Sequence, residues 1–163
     1  MAVDFYHLSG VTLDPGAVIK AGNWGRVIRQ AGWTHNLAIR EMALEEARLL
    51  RFTHRPSRLD SAFVFIDMIE ARNFRLRIPG FQNHVLYRVS LLNPAAPSHI
   101  TDTRLAGPIG TLRSDWADVY WMDFNPATIS VPGIDNWSEA TNGYVQEREM
   151  ITTSDIRVEE VLP

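Results

Sequence analysis

Residues 36–65 read NLAIREMALEEARLLRFTHRPSRLDSAFVF, and this stretch decides the fold class. The segment 36–52 is rich in helix formers and contains neither Gly nor Pro, which predicts a helix. Its apolar stripe at helical spacing consists of Ile39, Ala43, Ala47 and Leu50. Pro56 ends the helix, and residues 59–65 predict a buried strand, followed by a short helix over 68–74. This alternation of helix and strand predicts an α+β domain.

Further strands are predicted on both sides of this unit. Residues 2–8 alternate and are rich in Val, Phe and Tyr, which predicts a first strand that ends at His7 or Leu8. Residues 84–91 have the β-branched and aromatic content of another strand. From Tyr144 to Leu162 the chain reads as a strand, a turn at 153–155 and a strand, which predicts a closing hairpin.

Two other parts of the chain have less regular patterns. The glycines at positions 22, 25 and 32 predict a loop containing Asn23, Trp24 and Arg26. Residues 94–143 carry prolines, glycines and tryptophans without a clean period, and they predict only a short helix around 114–120. Because no repeat or composition break divides the sequence, residues 1–163 are predicted to form a single domain.

The composition limits the available chemistry. The chain has no cysteine, which removes thiolate nucleophiles and zinc thiolates, and its histidines lack metal-ligand spacing, so no metal is expected. A formal net charge of -3 gives no basic footprint, which leaves nucleic-acid binding unsupported but not excluded. The sequence shows neither a leader pattern nor a membrane-length apolar run, which predicts a cytoplasmic protein that does not engage membranes.

Three short segments resemble one group of enzymes. The opening Phe5-Tyr6-His7-Leu8-Ser9, followed by Leu13-Asp14-Pro15-Gly16, is similar to the start of the rifampin ADP-ribosyltransferases and related small bacterial NAD⁺ transferases. The segment 57–63, SRLDSAF, followed by a helix containing Glu70, resembles their central segment. Residues 146–151, QEREMI, resemble the Glu-x-Glu strand of ADP-ribosylating toxins and arginine-specific transferases.

The resemblance implies catalytic positions on the last of these segments. Glu149 takes the place of the catalytic glutamate, and Glu147 takes the place two residues before it. On a strand this spacing sends both side chains to the same face, so that one could stabilise a ribosyl cation while the other orients or deprotonates the acceptor. In relatives with this pair the upstream glutamate favours guanidinium acceptors, which makes protein arginine an expected acceptor.

The resemblance also implies how NAD⁺ would be held. His7 would bond the adenosine-side ribose, and the neighbouring backbone at Leu8 would meet the nicotinamide carboxamide. Phe63, where the family usually has tyrosine, would stack on the nicotinamide ring, and Ser61 lies in the same NAD⁺-binding segment. Leu8-Ser9 replaces the family's Gly-Thr.

The pyrophosphate of NAD⁺ has two candidate partners in the sequence. Arg26 or Arg58 would pair with it, since a guanidinium fork matches phosphate oxygens. The sequence leaves both arginines as candidates.

The implied fold is a split β-sandwich of two small antiparallel sheets with flanking helices and NAD⁺ in the cleft. The implied activity is transfer of ADP-ribose from NAD⁺ to an unidentified protein or small-molecule acceptor, with release of nicotinamide. One alternative is a degenerate NAD⁺-fold protein that acts as a binding or inhibitory module. Another is an NAD⁺ glycohydrolase that passes ADP-ribose to water.

Overall fold

A computed structural model describes residues 4–106, 115–123 and 147–163. The helices in these ranges are α1 (Asn23–Ala31), α2 (Ala38–Arg51), α3 (Met68–Arg77) and α4 (Asp115–Trp121). The strands are β1 (Phe5–Ser9), β2 (Val18–Ile19), β3 (Ala62–Phe65), β4 (Val85–Leu91), β5 (Ser98–Asp102), β6 (Arg148–Thr152) and β7 (Ile156–Leu162). None of the helices in the described ranges is long and apolar enough to cross a bilayer.

The α+β class is confirmed, and the described strands form a single antiparallel sheet with the order β2-β7-β4-β1-β3-β6-β5. The sequence predicted two small sheets. β1 pairs with β4 along its whole length, but it joins β3 at one register position, Tyr6 opposite Phe65. Where this ladder ends, the His7 imidazole bonds the Phe63 carbonyl. The sheet therefore has a four-strand part and a three-strand part that meet at a narrow junction.

Helices α2, α3 and α4 cover one face of this sheet. On β3, Phe63 and Phe65 point to the helix side, whereas Val64 packs in the cluster on the opposite face. Leu44 of α2 and Tyr120 of α4 belong to the cluster with Phe63. Helix α3 belongs to a second cluster around Phe65, which also contains Leu8, Ala71 and Leu86. The helix side thus has two apolar clusters with β3 spanning both.

The buried face of α2 differs from the predicted stripe. The helix is confirmed, but its buried residues are Ala38, Glu41, Leu44 and Ala47. Ile39 and Leu50 of the predicted stripe are 37% and 66% exposed. The stripe missed this face because it includes a charged residue, Glu41, whose arginine partner allows the side chain to be buried.

The predicted loop around Arg26 is wrong, because Asn23–Ala31 form helix α1. Gly22 lies just before the helix with a φ of 80°, a left-handed conformation that suits glycine. A Cβ at Gly25 would lie 1.8 Å from the Leu59 carbonyl oxygen, so glycine lets the helix pack directly on the chain before β3. These glycines are packing features of a helix.

The predicted closing hairpin is also wrong, because β6 and β7 are not neighbours in the sheet. β6 pairs with β3 and β5, and β7 pairs with β4 and β2. The turn between them bonds to another segment: Thr153 N–H donates to Pro97 O, and Leu92 N–H donates to Asp155 O. The chain therefore passes from one part of the sheet to the other. Residues 144–146 lie outside the described ranges.

The remaining elements lie close to their predicted positions. The strands at 5–9, 62–65 and 85–91 and the helix that begins at Met68 are confirmed. The short helix predicted around 114–120 corresponds to α4, and Ser114 lies outside the described residues. Strand β5 lies in the region 94–143, where the sequence predicted no strand.

Candidate functional site

Glu149 is a buried carboxylate between the two apolar clusters of the helix side. It lies on β6, opposite Phe65 of β3 and Thr101 of β5. Its Oε1 accepts hydrogen bonds from Arg58 Nη1 at 2.8 Å and from the Tyr120 hydroxyl at 2.9 Å. Within the described part of the chain, Oε2 accepts no hydrogen bond. The carboxylate is therefore fixed through one oxygen, and the other is free to bond a ligand.

Arg58 connects Glu149 to helix α2. Its Nε donates to Glu41 Oε2 at 2.9 Å and its Nη2 to Glu41 Oε1 at 3.2 Å, a two-pronged pairing. Burial raises the pKa of Glu41, but Arg58 and Arg40 outweigh this effect and lower it to about 2. Burial likewise opposes the charge of Arg58, whereas Glu41, Tyr120 and Glu149 raise its pKa well above the ordinary value. Both groups of this buried pair are therefore charged.

Two aromatic rings enclose the Arg58 guanidinium. Its carbon Cζ lies 4.8 Å from the ring centroid of Phe63 and 4.9 Å from that of Tyr120, which are cation–π distances. Burial raises the pKa of the Tyr120 hydroxyl, so this group remains a donor to Glu149. The Phe63 ring therefore lies beside the Glu149 site, but the Arg58 guanidinium already packs over one face of the ring.

His7 is half-buried at the junction between the two parts of the sheet. Its Nδ1 donates to the Phe63 carbonyl at 2.9 Å, which leaves Nε2 as an acceptor in the neutral ring. Burial lowers the pKa of His7 despite this hydrogen bond, and nearby His84 lowers it further. By register His7 lies beside Tyr87, on the face opposite Glu149 and Phe65. A ligand that contacts both His7 and Glu149 would therefore have to span the narrow junction between β1 and β3.

The other predicted NAD⁺-binding residues have different surroundings. Leu8 is buried in the apolar cluster under α3. Ser61 is also buried, and its hydroxyl donates to Ser57 O at 2.6 Å, which closes the turn that carries Arg58. Arg26 lies on the exposed face of α1 and bonds the Asn23 side chain. Of the two arginines proposed for the pyrophosphate, Arg58 contacts Glu149 and Arg26 does not.

Glu147 lies just before β6 and is paired separately from Glu149. Arg77 at the end of α3 donates through Nε to its Oε1 at 2.8 Å and through Nη2 to its Oε2 at 2.5 Å. The Thr103 hydroxyl also donates to Oε2 at 2.8 Å. Both carboxylate oxygens of Glu147 are therefore already bonded.

Sequence reasoning missed Glu41 and Tyr120, which complete the surroundings of Glu149. Glu41 carries a usable signal, because it occupies a helical position in line with the buried Ala38, Leu44 and Ala47. A charge at such a position requires a buried partner. Tyr120 lies in a region whose sequence pattern does not reveal its position in the fold.

The site is formed by carboxylates, arginines, aromatic rings and a histidine. Within the described ranges, no group of three or more potential metal-ligating side chains is brought together. No protein-family model matches the chain, and no curated protein matches it. The function is therefore inferred from the geometry of the site and from the sequence resemblance.

Proposed function

We propose that this protein transfers ADP-ribose from NAD⁺ to an acceptor and releases nicotinamide, with Glu149 as the catalytic carboxylate. The observation that carries the proposal is the asymmetry of Glu149, whose Oε1 is fixed by Arg58 and Tyr120 while Oε2 makes no hydrogen bond to the described residues. A charged, positioned oxygen in a site that is largely closed to water suits the stabilisation of a developing cation.

Cleavage of the bond between nicotinamide and ribose produces such a cation. As the bond lengthens, its electron pair moves to the nicotinamide nitrogen and positive charge develops on the ribose carbon. Glu149 Oε2 would stabilise this charge and bond a ribose hydroxyl, while Arg58 and Tyr120 keep the carboxylate from rotating. Nucleophilic attack by the acceptor on that carbon completes the transfer.

The narrow junction between β1 and β3, with one register pair, supports a split β-sandwich as the architecture of the site. His7 lies at this junction, and its neutral ring presents Nε2 as an acceptor, which fits a bond to a ribose hydroxyl. The pyrophosphate is a poorer match for Arg58, because Glu41, Tyr120 and Glu149 already take its donors. We therefore favour Arg26, whose guanidinium is exposed, as the pyrophosphate partner.

A second candidate function is that of an NAD⁺-binding module without turnover. The ion pair between Arg58 and Glu149 favours it, because a cation at 2.8 Å partly offsets the negative charge that catalysis requires. The two functions differ in their products, since the module releases no nicotinamide. A glycohydrolase, in contrast, yields free ADP-ribose.

The substitution Glu149→Gln tests the proposed transferase. It removes the negative charge but keeps an oxygen for Arg58 and Tyr120 to bond, so we expect nicotinamide release to fall by about 100-fold or more. Labelled NAD⁺ is incubated with each protein, a cell lysate and a panel of small acceptors, and both nicotinamide and labelled products are measured. Glu46→Gln, at an exposed position of α2, is the matched control and should behave like wild type.

The comparison requires that both variants have wild-type circular dichroism. Full nicotinamide release by the Glu149→Gln protein would rule out Glu149 as the catalytic carboxylate. No release by well-folded wild type with any acceptor would favour the binding module, and free ADP-ribose alone would indicate the glycohydrolase.

A further inference from the structure

The Glu147 carboxylate already has an arginine partner within the protein. Its side chain is 4% exposed, whereas that of Arg77 is 41% exposed and covers it from the solvent side. The hydrogen bonds to Glu147 raise the pKa of Arg77, which also lies at the C-terminal end of α3, where a helix favours a cation. Arg77 is therefore a charged side chain that closes access to Glu147.

The second glutamate thus cannot perform the role that its spacing implies. A carboxylate that accepts hydrogen bonds from Arg77 and Thr103 at both oxygens has no open edge for another guanidinium among the described residues. The neighbouring Asp102 carboxylate is fully buried and accepts from the Glu147 backbone N–H at 3.0 Å. An incoming cation meets the guanidinium of Arg77 first.

We propose that Arg77 determines acceptor specificity by excluding guanidinium groups, so that the wild-type protein uses an uncharged acceptor. This inference depends on the proposed transferase function. The acceptor, written X–H with X as oxygen or nitrogen, attacks the ribose carbon as the bond to nicotinamide breaks. Its proton passes to Glu149 Oε2 and then to solvent, and nicotinamide leaves as a neutral molecule.

The reaction requires no proton transfer to Glu147. In this description Glu147 holds α3 against β6 through Arg77, and Glu149 alone takes part in chemistry. Removal of Arg77 should uncover Glu147 and admit a guanidinium at the position that Arg77 occupied. The variant would then accept guanidinium compounds that the wild-type protein excludes.

The test compares wild type with Arg77→Ala and with Arg72→Ala. Arg72 lies on the same helix and, among the described residues, donates to the Pro163 carbonyl alone, at 3.3 Å, which makes it a matched control. Each protein is incubated with labelled NAD⁺ and agmatine, a small guanidinium compound, and labelled agmatine and nicotinamide are measured separately. We expect Arg77→Ala to label agmatine at least about tenfold faster than wild type or Arg72→Ala.

A stability measurement covers the case in which Arg77→Ala folds poorly. Millimolar agmatine should raise the thermal midpoint of Arg77→Ala by about 2–4 °C, because it restores a partner to Glu147, and should leave wild type unchanged. Arg77→Lys keeps a cation but loses the two-pronged guanidinium, so agmatine should raise its thermal midpoint by less.

Three results would overturn the inference. They are agmatine labelling by wild type at the rate of Arg77→Ala, a label on the Arg77 side chain itself, and no effect of agmatine on the midpoint of Arg77→Ala. The absence of nicotinamide release from every protein would instead remove the proposed function, and the acceptor specificity with it. The inference would be supported if wild type labelled uncharged acceptors but did not label agmatine.

Discussion

The guanidinium of Arg58 touches side chains from α2, α4, β3 and β6, and at the residue scale this makes it the central group of the site. Its partners are 17 residues away at Glu41 and 91 residues away at Glu149. No local pattern predicts such pairings. The resemblance selected Glu149 as a candidate and offered Arg58, as an alternative to Arg26, for the pyrophosphate, whereas the structure pairs Arg58 with two carboxylates.

Substitution of Arg58 by Met should strongly destabilise the protein. The change leaves Glu41 and Glu149 buried without their cation, and loss of one partner of a buried ion pair costs about 3–5 kcal/mol. Arg29→Met is the control, because its pair with Asp60 is exposed and should be worth less than about 1 kcal/mol. Urea unfolding measures the free energy of unfolding of both variants. Equal losses of stability would contradict a special role for Arg58.

At the scale of whole elements, His99 connects β5 to α4. Its Nε2 donates to the Tyr120 carbonyl at 2.8 Å, and its ring packs against those of Tyr120 and Trp121. Burial lowers the pKa of His99 to about 4, although the hydrogen bond to Tyr120 opposes this change. The neutral ring therefore helps to place the helix that brings Tyr120 to Glu149.

This contact predicts a loss of stability in mild acid. Below pH 6.5 the unfolded chain binds a proton at His99 that the folded protein accepts only near pH 4, so stability falls as the pH is lowered through this window. The contribution of His99 is about 3 kcal/mol across the window. The free energy of unfolding of wild type and His99→Gln, measured from pH 7 to pH 4, should show a shallower slope for the variant. Parallel slopes would show that His99 is not the responsible group, and that His7 or His84 dominates.

The elements also show where sequence reasoning succeeds and fails. Helix α2 was predictable because it lacks Gly and Pro, and β4 because its composition is strongly β-forming. Helix α1 was missed because the packing of Gly25 on Leu59 compensates for the low helix propensity of glycine. The false hairpin arose because a short turn usually joins neighbouring strands, whereas residues 153–155 bond to the segment that follows β4.

At the scale of the whole molecule, the narrow junction between β1 and β3 predicts that NAD⁺ stabilises the folded protein. A molecule that contacts both His7 and Glu149 would bridge the two parts of the sheet. The Glu149→Gln variant avoids turnover, and NAD⁺ at about 100 times its dissociation constant should raise its free energy of unfolding by about 2.7 kcal/mol. ATP, which shares adenine and phosphates but lacks nicotinamide, should give a smaller effect in the same thermal titration. No midpoint change with NAD⁺ would argue against both the transferase and the binding module.

The strand order also has a consequence for synthesis on the ribosome. β6 and β7 are internal strands of the sheet, yet they lie within residues 148–162 and are therefore translated after all the strands that they pair with. Until they emerge, β3, β5, β4 and β2 lack the strand that pairs with each of them, so both parts of the sheet have open edges. Such long-range pairing folds slowly, and the nascent chain carries no completed carboxylate site while it is being made. The proposed reaction with NAD⁺ can therefore begin only after strand β7 has been translated.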